Sequence, residues 1–233
     1  MIVTKDLHFN PWHHVNPGEE LPGVVNAIIE IPKGSQGKYE LDKKSGLLKL
    51  DRVLFSAVYY PANYGFIPRT LSDDGDPLDI LVICSLEVDP LCIIEAKVIG
   101  VMEMVDNMEK DEKIIAVAKN DISVNYMDDL KDLPPHTTVQ LQRFFEDYKK
   151  LEHKNVVVEK IVGREDAFKI INESIVRYKQ NYLTEDWLHY LEKDKMEISK
   201  RKPASLTYLT FIITVIGGTM LFGIAYFLYF IFH

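Results

Sequence analysis

The segment Asp73-Asp-Gly-Asp-Pro-Leu-Asp79 stands directly before the apolar run Ile80-Leu-Val-Ile-Cys84. Gly75 and Pro77 impose a turn, so Asp74, Asp76 and Asp79 crowd at one strand end. Carboxylates gathered in this way repel one another unless a cation lies among them, and hard oxygen ligands suit Mg2+ or Mn2+. A calcium EF-hand is excluded. Counted from Asp74, its sixth and twelfth positions hold Asp79 and Ser85, where that loop needs Gly and Glu. The plainer alternative is an acidic surface turn.

A second acidic run, Asp106-Asn-Met-Glu-Lys-Asp111-Glu-Lys113, reads by itself as a solvated hairpin tip. Beside the first cluster it becomes a second source of ligands. Lys38, Arg52, Tyr60, Tyr64, Lys113, Tyr148 and Lys149 then stand out as cations and phenols in an acidic chain. Carboxylates that hold metals, ringed by Lys, Arg and Tyr, are equipment for phosphoryl transfer. Neither a Gly-x-x-x-x-Gly-Lys-Ser/Thr loop nor a kinase loop set occurs, so nucleotide binding is unsupported.

These residues need a scaffold to position them. Val24–Ile31 is a strand by its β-branched content, and Lys38–Asp42 and Leu47–Arg52 make a hairpin about Lys44-Ser-Gly46. Ile80–Cys84 is apolar throughout and reads as a strand buried on both faces. Ile93–Met104, Lys113–Ala118 and Val156–Val162 are further strands. Leu141, Phe144, Phe145, Tyr148 and Leu151 recur at helical spacing, as do Phe168, Ile171, Ile175 and Tyr178. Strands early and helices late define an α+β pattern without βαβ alternation.

The 233 residues carry 27 Lys+Arg against 35 Asp+Glu, a net charge of −8, which argues against nucleic-acid binding. Cys84 and Cys92 are too few for a disulfide scaffold. Residues 204–232 contain no Asp, Glu, Lys or Arg. Since about 20 apolar residues cross a bilayer, a C-terminal transmembrane anchor is expected there, with the lipid bilayer as a partner. Lys193, Lys195, Lys200, Arg201 and Lys202 precede that run and only His233 follows it. Positive-inside logic then keeps the preceding domain cytoplasmic. The expected organisation is an arm over 1–21, a catalytic domain over 22–180, a charged stalk over 181–203 and the anchor over 204–232.

The motif Asp74-Gly-Asp-Pro-Leu-Asp79 resembles the signature of family I soluble inorganic pyrophosphatases. Ile29-Glu-Ile-Pro32, Lys38-Tyr-Glu-Leu-Asp42, Leu50-Asp-Arg52, Tyr60-Pro-Ala-Asn-Tyr-Gly65 and Phe144-Phe-Glu-Asp-Tyr-Lys149 support the resemblance in order. It implies a five-stranded OB-type β-barrel with flanking helices, Mg2+-dependent hydrolysis of pyrophosphate, with Mn2+ as a substitute, and a homo-oligomer. Carried over by motif, Asp74, Asp79, Asp106 and Asp111 resemble the metal ligands, and Glu30 and Glu40 resemble carboxylates reaching further metal or its waters. Asp76 resembles the general base. Lys38, Arg52, Tyr64, Tyr148, Lys113 and Lys149 resemble the pyrophosphate contacts. Two other readings use the same residues: a module that binds a phosphorylated partner without turnover, and an enzyme acting on a lipid or nucleotide diphosphate.

Overall fold

Strand β1 (Val24–Ile31) carries the β-branched run and is buried along most of its length. It pairs antiparallel with β4 (Asn63–Phe66), which pairs antiparallel with β5 (Asp79–Ile83). Strand β5 lies parallel to β7 (Glu109–Ala118), and β7 is the antiparallel partner of β6 (Ile93–Asp106). Strand β6 returns to β1, with Val24 opposite Lys97 and Ile28 opposite Ile93. The five strands therefore close into a ring, and β8 (Val156–Gly163) adds a sixth along the outer half of β6. Strands β2 (Gly37–Leu41) and β3 (Leu48–Val53) form a separate hairpin. The OB-type sheet with flanking helices is present as this closed ring. The computed structural model describes residues 9–106 and 108–182.

Both faces of the ring's strands are covered, which explains the unbroken apolar run of β5. Leu81, Ile115, Val117 and Met102 pack with Leu141, Phe144 and Phe145 of helix α2 (Pro135–Asp147). Ile80, Val82, Ile114 and Ala116 pack on the other side with Ala167, Ile171 and Ile175 of helix α3 (Arg164–Tyr182). Alternate residues of one strand thus feed two cores, as the two-residue period requires.

Three local expectations are corrected. The N-terminal arm is not merely polar: Pro11–His14 form a helical turn, α1, capped by Asn10, and Trp12 is buried. Leu151 does not extend the apolar stripe of α2. That helix ends at Asp147 and tightens into a 3-10 turn over Lys150–Glu152, which turns Leu151 to solvent at 61% exposure. The acidic run after β6 is more than a tip, because β6 and β7 extend through it to pair Asp106 with Glu109. The expected anchor over 204–232 lies outside the described residues, as does the stalk from residue 183 onward. Among the described residues no helix is long and apolar enough to cross a membrane.

Strands β1 and β4 touch at Gly65, where an added Cβ would lie 1.8 Å from the carbonyl oxygen of Ile28. Neither backbone can retreat without opening the ring. Gly65→Ala is expected to cost about 3 kcal/mol and to lower the melting temperature by on the order of 10 °C. Urea and thermal unfolding of the full chain measure both.

Candidate active site

The parallel pairing of β5 with β7 sets Asp79 in register with Lys113, and Asp111 lies two residues earlier on β7. The Lys113 ammonium pairs with both carboxylates at once. Burial opposes its charge, but Asp79 and Asp111 more than offset this and hold its pKa well above the usual lysine value. The Tyr64 hydroxyl on β4 donates to Asp79 Oδ2 at 2.6 Å. Burial and the charges of Asp79 and Asp111 push that phenol upward, so it stays a neutral donor.

The other carboxylates surround this pair. Gly75, with φ of 86°, turns the chain so that Asp74 Oδ1 accepts the Asp76 amide at 2.9 Å. Asp76 is ion-paired with Lys43. Glu30 on β1 is buried, and its Oε1 accepts the Leu41 amide at 2.6 Å. Burial, then the Asp79 charge, pushes Glu30 up to about 8. Asp74 and Asp111 are raised by burial and by Asp79 as well, with Lys113 pulling Asp111 the other way. Asp106, at the end of β6, is ion-paired with Lys149, just beyond α2. Burial is the first cause that lowers Lys149, while Asp106 opposes it. Tyr148 ends α2 as a buried phenol raised chiefly by burial. Lys38 on β2 pairs with Glu40 at 2.5 Å.

These side chains line one cavity of about 300 Å³. Every expected site residue borders it except Arg52. The Arg52 guanidinium is turned toward Glu152, at 2.8 Å from Nε, and toward Asp51, at 2.5 Å from Nη1. Its Nη2 is buried without a hydrogen-bond partner. The cavity also includes Trp12 and Lys43, which the sequence reading had not singled out. Lys43 follows the Lys38–Asp42 motif by one residue, and that adjacency was the available signal. Trp12 offered none, because a tryptophan in a polar arm has no periodicity to place it. Glu152 was missed for the same reason.

An all-oxygen set of this kind fits a hard divalent cation. Among the described residues no three ligating side chains yet converge closely enough to hold a metal ion. Lysine ammoniums sit at those carboxylates instead. The buried Asp106 Oδ1 has no hydrogen-bond partner, which leaves an unsatisfied anionic acceptor at this end of the cavity.

Carboxylates massed at a strand end, faced by ammoniums and phenols in a small polar cavity, define a hydrolase of phosphoryl groups. The inorganic pyrophosphatase family matches residues 27–179. The chain is 50% identical over 183 residues to a soluble inorganic pyrophosphatase of Chlamydomonas reinhardtii, covering 78% of this chain and 95% of that one. A soluble inorganic pyrophosphatase of Solanum tuberosum is 49% identical over 192 residues, 82% of this chain and 89% of that one. The crystal structure of an inorganic pyrophosphatase from Thermus thermophilus superposes with a TM-score of 0.71 at 40% identity, over 73% of this chain and 99% of that one. The chain belongs to the inorganic pyrophosphatase family, whose enzymes are inorganic diphosphatases. The membrane location expected from the sequence is corrected here. It rested on the length of one apolar run, whereas the relatives are named soluble and no described helix has the length and apolarity of a span.

The elevated Glu30 predicts a pH dependence of the metal-free protein. Between about 4.5 and about 8 the unfolded chain ionises this carboxyl while the folded chain keeps its proton. The unfolded state therefore binds fewer protons, and stability falls as pH rises through that window. Relative to Glu30→Gln, whose amide oxygen still accepts the Leu41 N–H, the metal-free protein is expected to lose on the order of 2–4 kcal/mol between pH 5 and 8. Urea unfolding in chelator at both pH values measures it. Parallel curves for the two proteins would refute the buried-acid reading.

Proposed function

We propose that this chain hydrolyses inorganic pyrophosphate to two phosphates by attack of water on one phosphorus. The observation that carries this reading is a pair of buried, unpartnered atoms, one on Asp106 in the cavity wall and one on Arg52, which lies outside it. Among the described residues only Arg52 Nη2 and Asp106 Oδ1 are buried side-chain polar atoms without a hydrogen-bond partner. One is a cationic donor suited to a phosphate oxygen, and the other is an anionic acceptor suited to a cation. A ligand that brings anionic oxygens and metal together satisfies both.

Asp74, Asp79, Asp106 and Asp111 would hold Mg2+, or Mn2+, with Glu30 and Glu40 reaching further metal or its waters. Such ions lower the pKa of water and neutralise phosphate oxygens. Asp76 lies on the same turn as Asp74, with Oδ1 paired to Lys43, and Oδ2 is the atom proposed to take the proton of the attacking water. Lys38, Lys113 and Lys149 supply ammoniums for the anion, and Arg52 supplies its unpartnered Nη2. Tyr64 and Tyr148, both held neutral, donate hydroxyl hydrogens without adding negative charge. The catalytic unit is assigned to residues 22–180.

The test is phosphate release from pyrophosphate by the purified full chain, with Mg2+ and after chelation. Turnover should vanish with the metal and return on its addition. Asp79→Asn should remove most turnover and weaken Mg2+ activation, since this carboxylate, already engaged by Lys113 and Tyr64, would be among those holding the metal. Asp76→Asn should lower kcat by roughly 10²–10⁴ with little change in KM. A loss confined to KM would make Asp76 a binding residue.

A further inference from the structure

Lys43 has no role in the scheme above beyond its ion pair, yet its surroundings are built to hold it. It is carried on the loop between β2 and β3. Asp42 Oδ2 fixes that loop by accepting from the Ser45 amide at 3.0 Å and the Ser45 hydroxyl at 2.5 Å. The Lys43 carbonyl accepts from Asn10 Nδ2 at 2.9 Å, which ties the loop to the N-terminal arm. The ammonium lies 5.6 Å from the centre of the Trp12 ring, within range of a cation–π contact.

Trp12 also reaches the aspartate turn. Its Nε1 donates to the Thr70 carbonyl at 2.8 Å, and Thr70 Oγ1 accepts the Leu78 amide at 2.9 Å, two residues beyond Asp76. Thr70 is fully buried. One buried indole therefore ties together the two loops whose tips meet as the Lys43–Asp76 pair. An ordinary surface ion pair has no such shared support, because two long side chains are left to find each other from mobile loops.

We infer that Lys43 is a positioning residue: seated by Trp12 and Asn10, it orients the Asp76 carboxylate for proton transfer. This rests on the assignment of Asp76 as the base in pyrophosphate hydrolysis. Because Lys43 and Asp76 are both about half exposed, the pair contributes little to folding. Its effect belongs in the rate.

The experiment is steady-state pyrophosphate hydrolysis by the full chain with Mg2+, for wild type, Lys43→Met, Lys43→Arg, Lys44→Met, Asp76→Asn and the double variant Lys43→Met/Asp76→Asn. Lys43→Met keeps most of the stem and removes the charge, so kcat should fall about fivefold, or about 1 kcal/mol, with KM within about twofold. Lys43→Arg should restore most of the rate. Lys44→Met removes the same charge one residue away and should leave kcat near wild type, which subtracts any long-range field effect. In the Asp76→Asn background, Lys43→Met should cause no further loss, because a residue acting through Asp76 has nothing left to orient. Melting temperatures within a few degrees of wild type exclude a folding defect.

A rise in KM at constant kcat would make Lys43 a substrate contact and overturn the inference. An equal fivefold loss in the Asp76→Asn background, or a loss matched by Lys44→Met, would overturn it too. If wild type hydrolyses pyrophosphate and Lys43→Met equals it, this inference alone fails. If wild type releases no phosphate, the hydrolytic reading fails and takes this one with it.

Discussion

Asp79 and Asp111 stand on neighbouring parallel strands with the buried Lys113 ammonium between them, and the geometry of the site follows from that contact. Two carboxylates in a partly dry environment repel one another strongly, since the interaction grows as the effective dielectric falls. Removing either partner of such a buried group leaves an uncompensated charge, which costs more than the pair contributes. The parallel pairing is what makes the contact available. It places Asp79 opposite Lys113, and the two-residue period brings Asp111 to the same face. A one-residue slip of β7 would send Lys113 and Asp111 together to the other face and part Lys113 from Asp79.

That register is held from both sides by apolar packing. Leu81 and Ile115 belong to the core under α2, while Ile80 and Ile114 belong to the core under α3. A slip would exchange residues between cores of different shape, and closely packed interiors resist such changes of volume. The charged cluster therefore sits at the end of two strands that cannot slide. Its alignment is set by side chains that never touch the cavity. The pairing of β1 with β4, and of β4 with β5, brings Glu30 against the Asp79 end of β5, and the β1–β6 pairing closes the ring behind it.

Much of this was legible in the sequence because the informative residues are local. Asp74, Asp76 and Asp79 are brought together by Gly75 and Pro77 within one turn, so composition and spacing were enough. Asp106 and Asp111 were found as a charge run, but their meeting with Asp79 depends on a parallel pairing that no local pattern encodes. The four-residue β4 escaped as a strand because Asn63-Tyr-Gly-Phe66 has neither the length nor the β-branching of one. Trp12 and Lys43 escaped for a different reason. Their contacts span 58 residues from Trp12 to Thr70 and 33 from Lys43 to Asp76. Arg52 was recognised by type, but its orientation toward Glu152 depends on the 3-10 turn that ended the helical stripe early.

The charges lining the cavity bear directly on the proposed metal requirement. Glu30, Glu40, Asp74, Asp76, Asp79, Asp106 and Asp111 face Lys38, Lys43, Lys113 and Lys149. With Glu30 protonated, six negatives against four positives leave −2, in a protein whose net charge is already −8. A site of that sign repels a phosphorylated anion. The lysines cannot reverse this while they are engaged by the carboxylates, as Lys43, Lys113 and Lys149 are. On the proposed reading, added positive charge would enter before or together with the anion, and a cation taken up by Asp79, Asp106 or Asp111 would leave the Lys113 and Lys149 ammoniums available to phosphate oxygens. Cation and anion each lower the cost of binding the other, a coupling that runs equally in both directions. On the proposed function, the excess of carboxylates would make the protein a poor anion site alone and a better one for an anion that arrives with its metal.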